Sequence, residues 1–221
     1  MEKIVIFGTG SLARLAYLQF ARQGEYEVVA FTVNEEYLEE DRVFGLDVVC
    51  YEQIEQTHPP EAFSMFVAVG YRKANKARAM IYGDCKSRGY KLVSCLNSDV
   101  DALKHVSVGD NCLIMPNVMI QPYAEIGSDV IIWEGSYIGY QTRIEDHTYI
   151  APVAAIAGNV VIGQYCFIGI NATIQNGLTI APECVIGAGS VIVRDTKPGG
   201  VYKAQRAEES SYSSSEQRYF K

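Results

Sequence analysis

An isoleucine recurs at every sixth position from Ile114 to Ile192, fourteen times without interruption. An α-helix repeats its buried side about every 3.6 residues and a strand about every two, so neither element asks for this spacing. A six-residue period is typical of a parallel β-helix in which three short faces make one triangular coil. Isoleucines eighteen residues apart would then stack inside successive coils. We therefore predict a triangular prism of hexapeptide repeats over residues 101–200.

The position four residues after each isoleucine supports the prism. Small side chains fill it almost throughout, as a tight corner requires, and a glycine often follows the isoleucine, where it suits a sharp turn. A β-sandwich with an accidental apolar rhythm is the alternative, and fourteen matches in register argue against it. The corner residues are Val118, Ala124, Val130, Ser136, Thr142, Thr148, Ala154, Val160, Cys166, Ala172, Leu178, Cys184 and Ser190.

The chain before the prism begins like an open α/β sheet. Residues 3–8 form a continuous apolar run that ends in glycine, which is typical of a buried parallel strand. A helix over residues 12–23 and a second strand over 26–33 would complete a βαβ unit. We expect Leu15, Leu18, Phe20 and Ala21 to be available for the buried side of that helix. Further predicted elements are strands over 45–51, 64–69 and 90–95 and a basic helix over 72–88, which together give a Rossmann-like parallel sheet over residues 1–100.

The first turn of this unit is a candidate phosphate site. Gly8, Thr9 and Gly10 precede the helix, where free backbone N–H groups and the helix dipole favour an anion. Ala13 takes the place of the third glycine of the dinucleotide-binding fingerprint, so simple turn chemistry remains an equal alternative. At the end of the second strand, Asn34 and Glu35 are candidates for a ribose contact or members of an ordinary polar loop.

Charge and composition argue against several classes of function. The formal net charge of −7 argues against a main role on nucleic acid or on anionic membranes. The six cysteines show no paired spacing, the chain opens on a strand rather than a signal peptide, and no apolar run approaches the ~18 residues of a membrane span. We therefore expect a cytoplasmic protein. Residues 201–221 are polar and predict a loosely attached tail.

The order of a small α/β unit and a hexapeptide prism resembles the bacterial sugar acyltransferases of the bacillosamine, perosamine and sialic acid type. The resembling segments are residues 7–10, 67–71 and 187–195, together with the prism itself. The resemblance implies a left-handed parallel β-helix, a homotrimer about an axis parallel to the prisms, and no metal. It also implies that the N-terminal domain binds a nucleotide-linked amino sugar, and that acetyl-CoA or another acyl-CoA lies between two prisms as co-substrate. The expected setting is the biosynthesis of a surface polysaccharide or another glycan.

The resemblance also assigns residues. For acyl-CoA it points to Tyr149, Gly158, Ile170, Gly187, Ala188 and Lys203. For the nucleotide sugar it points to Gly8, Thr9, Gly10, Asn34, Glu35, Gly70, Tyr71 and Asn75. The basic residues available near the later coils and their exit are Arg143, Arg194, Lys197, Lys203 and Arg206.

The sequence departs from the family at the expected base. In the family a histidine stands two places after one of the repeat isoleucines, with an acidic residue or second histidine behind it, and acts as general base. Here Tyr140 and Gln141 occupy those places, and Tyr149 replaces a further histidine that faces the thioester. His147 is a candidate substitute for the base, or a plain surface or interface histidine.

The substitution bears on the reaction. Tyrosine ionises near pH ~10, so Tyr140 suits donation of a hydrogen bond to the thioester oxygen better than removal of a proton. A sugar amine is itself a nucleophile once deprotonated, so positioning can suffice and N-acylation is favoured over O-acylation. A non-catalytic homologue that binds nucleotide sugar or CoA, or serves as a trimeric scaffold, is the third hypothesis. An enzyme should keep the wall beside Ile170, Ala172 and Ala188 open for pantetheine.

Two other functions of hexapeptide proteins are excluded by what the chain lacks. A carbonic anhydrase of this class needs three histidines on one metal, whereas the prism contains only His147, with His105 just before it. A nucleotidyltransferase needs a longer N-terminal domain with a lysine-rich glycine loop.

Overall fold

A five-stranded sheet forms the N-terminal part of the molecule. The computed structural model describes residues 1–97, 104–205 and 207. The sheet has the order β3-β4-β2-β1-β5, and all neighbours are parallel except the β3-β4 hairpin. Its strands are β1 (Glu2–Phe7), β2 (Tyr26–Val33), β3 (Arg42–Val43), β4 (Leu46–Cys50) and β5 (Ser64–Val67). The helices are α1 (Ser11–Gln23), α2 (Ile54–Thr57) and α3 (Lys76–Ser87), with 3-10 turns at Glu35–Tyr37 and Tyr51–Gln53.

Helix α1 follows β1 as predicted, but it buries other residues than expected. It packs on the sheet through Ala13, Ala16 and Phe20, while Leu18 and Ala21 are exposed. Two alanines on the buried side let the helix backbone approach the sheet closely. The prediction for Leu18 and Ala21 is therefore wrong.

Helix α3 begins four residues later than predicted. The reason is a turn in which Lys73, Ala74 and Asn75 all have positive φ, of 53°, 50° and 64°. A right-handed helix cannot run through such residues, so it starts at Lys76. Three consecutive non-glycine residues in this region are strained, and the surrounding structure must hold them there.

The predicted last strand of the N-terminal sheet is reduced to one parallel bridge beside β5, with two backbone hydrogen bonds between Met65 and residues 91 and 93. Of residues 90–95, Leu92 forms only an isolated bridge with Met65. The strand that follows, β6 (Cys95–Leu96), pairs with the prism instead. The expected boundary between residues 100 and 101 lies outside the described residues.

The prism has three faces built from two-residue parallel strands, and it is a left-handed parallel β-helix as expected. Face 1 holds β7 (Ser107–Val108), β10 (Glu125–Ile126), β13 (Arg143–Ile144), β16 (Val161–Ile162) and β19 (Thr179–Ile180). Face 2 holds β6, β8 (Leu113–Ile114), β11 (Ile131–Ile132), β14 (Tyr149–Ile150), β17 (Phe167–Ile168), β20 (Val185–Ile186) and β22 (Val201–Tyr202). Face 3 holds β9 (Met119–Ile120), β12 (Tyr137–Ile138), β15 (Ala155–Ile156), β18 (Thr173–Ile174) and β21 (Val191–Ile192).

The repeat isoleucines form the core of the prism as the sequence predicts. Every one of them from Ile114 to Ile192 is buried, and isoleucines one coil apart pair directly, as Ile132 does with Ile114 and Ile150. The chain runs from face 1 to face 2 to face 3, and we name the corners between them corner 1–2, corner 2–3 and corner 3–1. The small residues predicted for the corners are buried, apart from a partly exposed Leu178. At Gly139 an added Cβ would lie 2.4 Å from the backbone of Ala157, so only glycine fits.

A buried ion pair joins α3 to corner 1–2 of the prism. The side chains of Arg78 and Asp129 are fully buried, with Arg78 Nε donating to Asp129 Oδ1 at 3.0 Å. Asn111 and His147 also contact the Asp129 carboxylate, at 2.7 and 2.8 Å. Asn111 Oδ1 in turn accepts from the backbone N–H of Val67 in β5. This network fixes the N-terminal sheet to the prism, and the predicted basic helix forms part of the junction between them.

Within the described residues no helix combines the length and the apolar character that crossing a membrane requires.

We expect Arg78→Met to lower the free energy of unfolding by about 3–5 kcal/mol, because Asp129 would remain as an uncompensated buried charge. Denaturant unfolding followed by circular dichroism measures the change. Arg42→Met is the matched control, since Arg42 and Asp47 form an exposed pair at 3.1 Å. Such exposed pairs contribute less than about 1 kcal/mol. A loss of similar size in both variants would contradict a stabilising role for the junction.

Candidate functional site

The first part of the candidate site is the turn after β1. Gly8 has φ 116°, and an added Cβ would lie 2.9 Å from the carbonyl oxygen of Ala68, so this position requires glycine. Gly10 is the N-cap residue of α1 and provides no side-chain cap. The first N–H groups of α1 therefore lack a side-chain acceptor from this position, and their dipole favours an anion. The geometry suits the predicted phosphate contact by Gly8, Thr9 and Gly10.

A carboxylate that the sequence did not indicate lies beside Asn34 and Glu35. Glu52 follows β4, the neighbour of β2, and its Oε1 accepts from Asn34 Nδ2 at 2.9 Å. Its Oε2 accepts from the backbone N–H of Glu35 at 3.1 Å and from the Cys50 thiol at 3.0 Å. The thiol of Cys50 and the amide of Asn34 lower the pKa of the Glu52 carboxyl to about 2. Finding Glu52 from sequence would have required the strand order, which no local pattern gives.

The loop after β5 carries Gly70 and Tyr71 to the prism. The Tyr71 ring contacts the rings of Tyr149 and Phe167 on face 2, with centroids 5.1 and 4.9 Å apart. Trp133 lies on the other side of Tyr149, at 6.3 Å. We call Tyr71, Trp133, Tyr149 and Phe167 the aromatic cluster. It joins a residue expected for the nucleotide sugar, Tyr71, to one expected for acyl-CoA, Tyr149.

Asn75 has a different role from the one expected. It is fully buried, its Nδ2 donates to the carbonyl oxygen of Cys166 at 2.9 Å, and its Oδ1 accepts from Arg78 at 3.1 Å. Both ends of its amide are used within the chain, so Asn75 ties the loop after β5 to the prism and is not open to a ligand.

Most residues expected for acyl-CoA lie along one wall. Ile170, Gly187 and Ala188 lie on corner 2–3, Tyr149 lies on face 2, and Lys203 follows β22 at the end of that face. Ile170 is 50% exposed and Ala188 is exposed, so the wall is open at both residues. Ala172 is fully buried inside the corner, so the prediction that it borders an open wall is wrong. A pocket of about 440 Å³ lies beside Lys203, between residues 189–192 and 202–205.

Tyr140, Gln141 and Gly158 lie together on corner 3–1, away from that wall. Tyr140 is 45% exposed, Gln141 is exposed, and a Cβ at Gly158 would lie 3.1 Å from the carbonyl oxygen of Tyr140. The Tyr123 ring meets the Tyr140 ring edge-on at 5.5 Å, and His105 stacks on Tyr123 at 5.7 Å. Corner 3–1 therefore carries an aromatic ladder at the position of the expected base.

His147 lies on corner 1–2, under α3. Its Nδ1 is 2.8 Å from Asp129 Oδ2, and its ring packs between Tyr82 and Tyr165 with a side chain only 13% exposed. His147 and Tyr140 are on different corners, so His147 does not share a site with Tyr140 within one chain. Its bonds give it a structural part in the junction.

Other expected contacts are distributed around the prism. Arg143 pairs with Glu125 on face 1 at 2.8 Å, while Arg194 and Lys197 are exposed near the end of the prism. Arg206 and most of the predicted tail lie outside the described residues. In the part of the chain that the structure describes, no group of three or more His, Cys, Asp or Glu side chains could hold a metal ion.

Burial raises the pKa of the Tyr149 phenol to about 12. The folded chain then holds this proton more tightly than the unfolded chain, whose tyrosines ionise near ~10. The resulting stabilisation is complete below pH ~10 and is lost as the pH rises toward ~12. We expect the wild-type free energy of unfolding to fall by about 1–3 kcal/mol more over this range than that of Tyr149→Phe. Tyr137→Phe, on face 3, is the control, and equal pH dependence of the wild type and Tyr149→Phe would refute the assignment.

Comparisons with known proteins agree with this geometry. The family model "Bacterial transferase hexapeptide (six repeats)" matches residues 105–140 and 159–194. A variant of the perosamine N-acetyltransferase from Caulobacter crescentus, solved in complex with CoA and GDP-perosamine, is 26% identical with a TM-score of 0.82 over 92% of this chain and 94% of that chain. The acetyltransferase domain of PglB from Neisseria gonorrhoeae is 24% identical, with a TM-score of 0.81 over 92% of this chain and 97% of that chain.

WeeI from Acinetobacter baumannii is 18% identical, with a TM-score of 0.77 over 91% of this chain and 96% of that chain. At these identities PglB and WeeI support the fold alone. A comparison with curated protein sequences gives no significant match. The chain thus carries the hexapeptide repeats of bacterial transferases, built into the two-part fold of a sugar N-acetyltransferase.

Proposed function

We propose that this chain transfers an acyl group, acetyl in the first place, from acyl-CoA to the amine of a nucleotide-linked amino sugar. The observation that carries the proposal is the contact of Tyr71 with Tyr149 at 5.1 Å, which joins the expected sugar side to the expected acyl-CoA side. The glycine turn after β1 and the open wall at Ile170 and Ala188 support it. So does the likeness to an enzyme that was solved with CoA and GDP-perosamine.

The reaction needs little from the protein besides positioning. The amine attacks the thioester carbonyl carbon, a C–N bond forms, the C–S bond breaks, and the amine proton passes to the departing thiolate or to water. A neutral phenol can donate a hydrogen bond to the oxyanion that develops. Tyr140 is the expected donor, and Tyr149, whose pKa is about 12, is a second phenol that keeps its proton at neutral pH. These properties favour an amine over a hydroxyl, because a hydroxyl requires a base to remove its proton.

A non-catalytic protein that binds the nucleotide sugar or CoA is the second candidate function. The observation that favours it is the tyrosine at position 140, where the resemblance to sugar acyltransferases implies a histidine base. O-acylation would need a displaced base, and His105, the histidine on the same corner, is separated from Tyr140 by the ring of Tyr123.

We place the reaction in the cytoplasm, in the biosynthesis of a surface polysaccharide or another glycan. All six cysteines are free, as a reducing compartment favours.

Acyl-CoA consumption with a panel of nucleotide-linked 3- and 4-amino sugars tests the function. We expect turnover with at least one amine, and a loss of about 100-fold in kcat for Tyr140→Phe if its hydroxyl stabilises the transition state. Tyr140→His should introduce a pH-dependent limb near ~6.5 that the wild type lacks, because a histidine base would titrate there. Thr179→His on face 1, outside the proposed trimer contact, is the matched control. No turnover with any amine would leave the non-catalytic candidate.

The site is completed, in this proposal, by a homotrimer. Tyr140 on corner 3–1 and the wall at Tyr149 and Ile170 lie on different sides of one prism, so two chains must meet to form a cleft. Exposed apolar side chains cluster on face 3 and its two corners and suit such a contact. They are Met119, Tyr123, Tyr137, Tyr140, Val153, Ile170, Val191 and Val193.

Sedimentation equilibrium should give the mass of three chains. We expect Met119→Lys, which places a charge on face 3, to dissociate the trimer and to reduce the acyltransferase activity at least tenfold, since a buried unpaired charge is costly. Thr179→Lys on the exposed face 1 is the control and should leave both unchanged. A monomeric wild type with full activity would rule out a shared cleft.

A further inference from the structure

A pocket of about 540 Å³ opens beside the carboxyl ends of β2 and β4. Asn34 and Tyr51 line one side of it, and the side chains and backbone of α3 line the other. The strand register places Phe7 beside Thr32 and Val33 beside Cys50, so the residues that follow, Gly8, Asn34 and Tyr51, succeed one another along one sheet edge. The pocket therefore continues the edge on which the glycine turn lies, which is the ligand edge of an open α/β sheet.

The α3 side of the pocket offers flat and apolar surfaces. The Arg88 guanidinium lies 4.4 Å from the centre of the Tyr51 ring and is held by Asp84 at 2.8 Å. Met80 is exposed beside it. A fixed planar guanidinium and a polarizable thioether are good partners for an aromatic ring.

Gly83 keeps this part of the pocket open. It lies in the interior of α3, where glycine weakens a helix relative to alanine. Apart from the adjoining backbone of α3 itself, a Cβ there would meet no atom within 4 Å, so packing against the rest of the chain does not require glycine. A glycine that packing does not explain, at the wall of a pocket, suits the close approach of a ligand.

The edge of the pocket at Asn34 presents acceptors. Because Asn34 Nδ2 donates to Glu52 at 2.9 Å, the amide is oriented, and Asn34 Oδ1 has no hydrogen-bond partner among the described residues. The Glu52 carboxylate is a second acceptor and is ionised at neutral pH; it does not itself line the pocket but adjoins it through its hydrogen bond with the lining residue Asn34. Its contacts with Cys50, Asn34 and the Glu35 N–H leave it room for one further donor.

We propose that this pocket binds the nucleobase of the nucleotide-linked sugar and that Asn34 and Glu52 select guanine. Guanine carries two adjacent donors, the N1–H and the 2-amino group, which match the Asn34 Oδ1 and Glu52 acceptors. Uracil and thymine carry one N–H between two carbonyl oxygens, and adenine and cytosine carry a ring acceptor beside their amine. Each of these bases would bring a lone pair against an acceptor, which opposes binding. This inference rests on the proposed function, since it assumes a nucleotide-linked substrate.

Calorimetric titration of the full chain with GDP, IDP, UDP and dTDP tests the proposal. IDP is the sharpest probe, because it keeps the N1–H of guanine and lacks only the 2-amino group. We expect wild-type protein to bind GDP at least about tenfold more tightly than IDP, UDP or dTDP, as a hydrogen bond to a charged acceptor would give. Glu52→Gln should reduce the GDP preference over IDP to within about twofold. Glu61→Gln, an exposed acid in the same domain, is the matched control and should keep the wild-type preference.

A second variant tests the pocket without touching the acceptors. Gly83→Leu fills the pocket from α3, where leucine is a better helix former, so we expect an unchanged or higher melting temperature and at least tenfold weaker GDP binding. GDP binding equal to that of the wild type would refute the pocket assignment. Equal binding of GDP and IDP by the wild type, or an unchanged ratio in Glu52→Gln, would refute guanine selection while leaving the proposed function in place. No binding of any nucleotide would overturn both.

Discussion

The stacking of isoleucines eighteen residues apart is the constraint on which the rest of the structure depends. Each coil pairs with the next in register on all three faces, as Ile114, Ile132 and Ile150 do on face 2. Because the side chains inside are nearly identical and the hydrogen bonds run from coil to coil, a residue's position in the eighteen-residue period determines its face or corner. A residue inserted within a strand of a face would disturb the stacking there, whereas solenoids accommodate insertions as loops that leave the coil.

The same constraint divides the candidate site. Tyr140 and Tyr149 are nine residues apart, which is half a coil, so they must lie on opposite sides of the prism. No local rearrangement can bring them together within one chain while the isoleucines stay stacked. A cleft that uses both residues therefore has to form between prisms, which links the chemistry proposed here to the assembly proposed here.

The prism could be predicted from sequence almost residue by residue, because its six-residue period is short and one residue type, isoleucine, marks it. The junction could not. Arg78 lies in a basic run that looks like a solvated face, and only the folded chain places it against Asp129, fifty-one residues away. Glu52 could not be predicted for a similar reason, since its contact with Asn34 depends on β4 lying next to β2. Cys95 is predicted as the end of the N-terminal sheet and instead begins a strand of the prism, because pairing partners decide where a short strand lies.

Burying the Arg78–Asp129 ion pair costs desolvation free energy. The main effect of the pair is to fix the position of the junction. Desolvation of Arg78 and Asp129 offsets much of their attraction, so the pair adds little net stability while making a displaced junction very unfavourable. It anchors the turn at residues 73–75, whose positive φ values would otherwise relax, and that turn follows Tyr71. Tyr71 is thereby held against Tyr149 on a rigid wall. In the proposed function, tyrosines take the places where the resemblance to sugar acyltransferases implies histidines. The proposed reaction therefore relies on orientation more than on proton removal, and we propose that the locked junction serves that orientation.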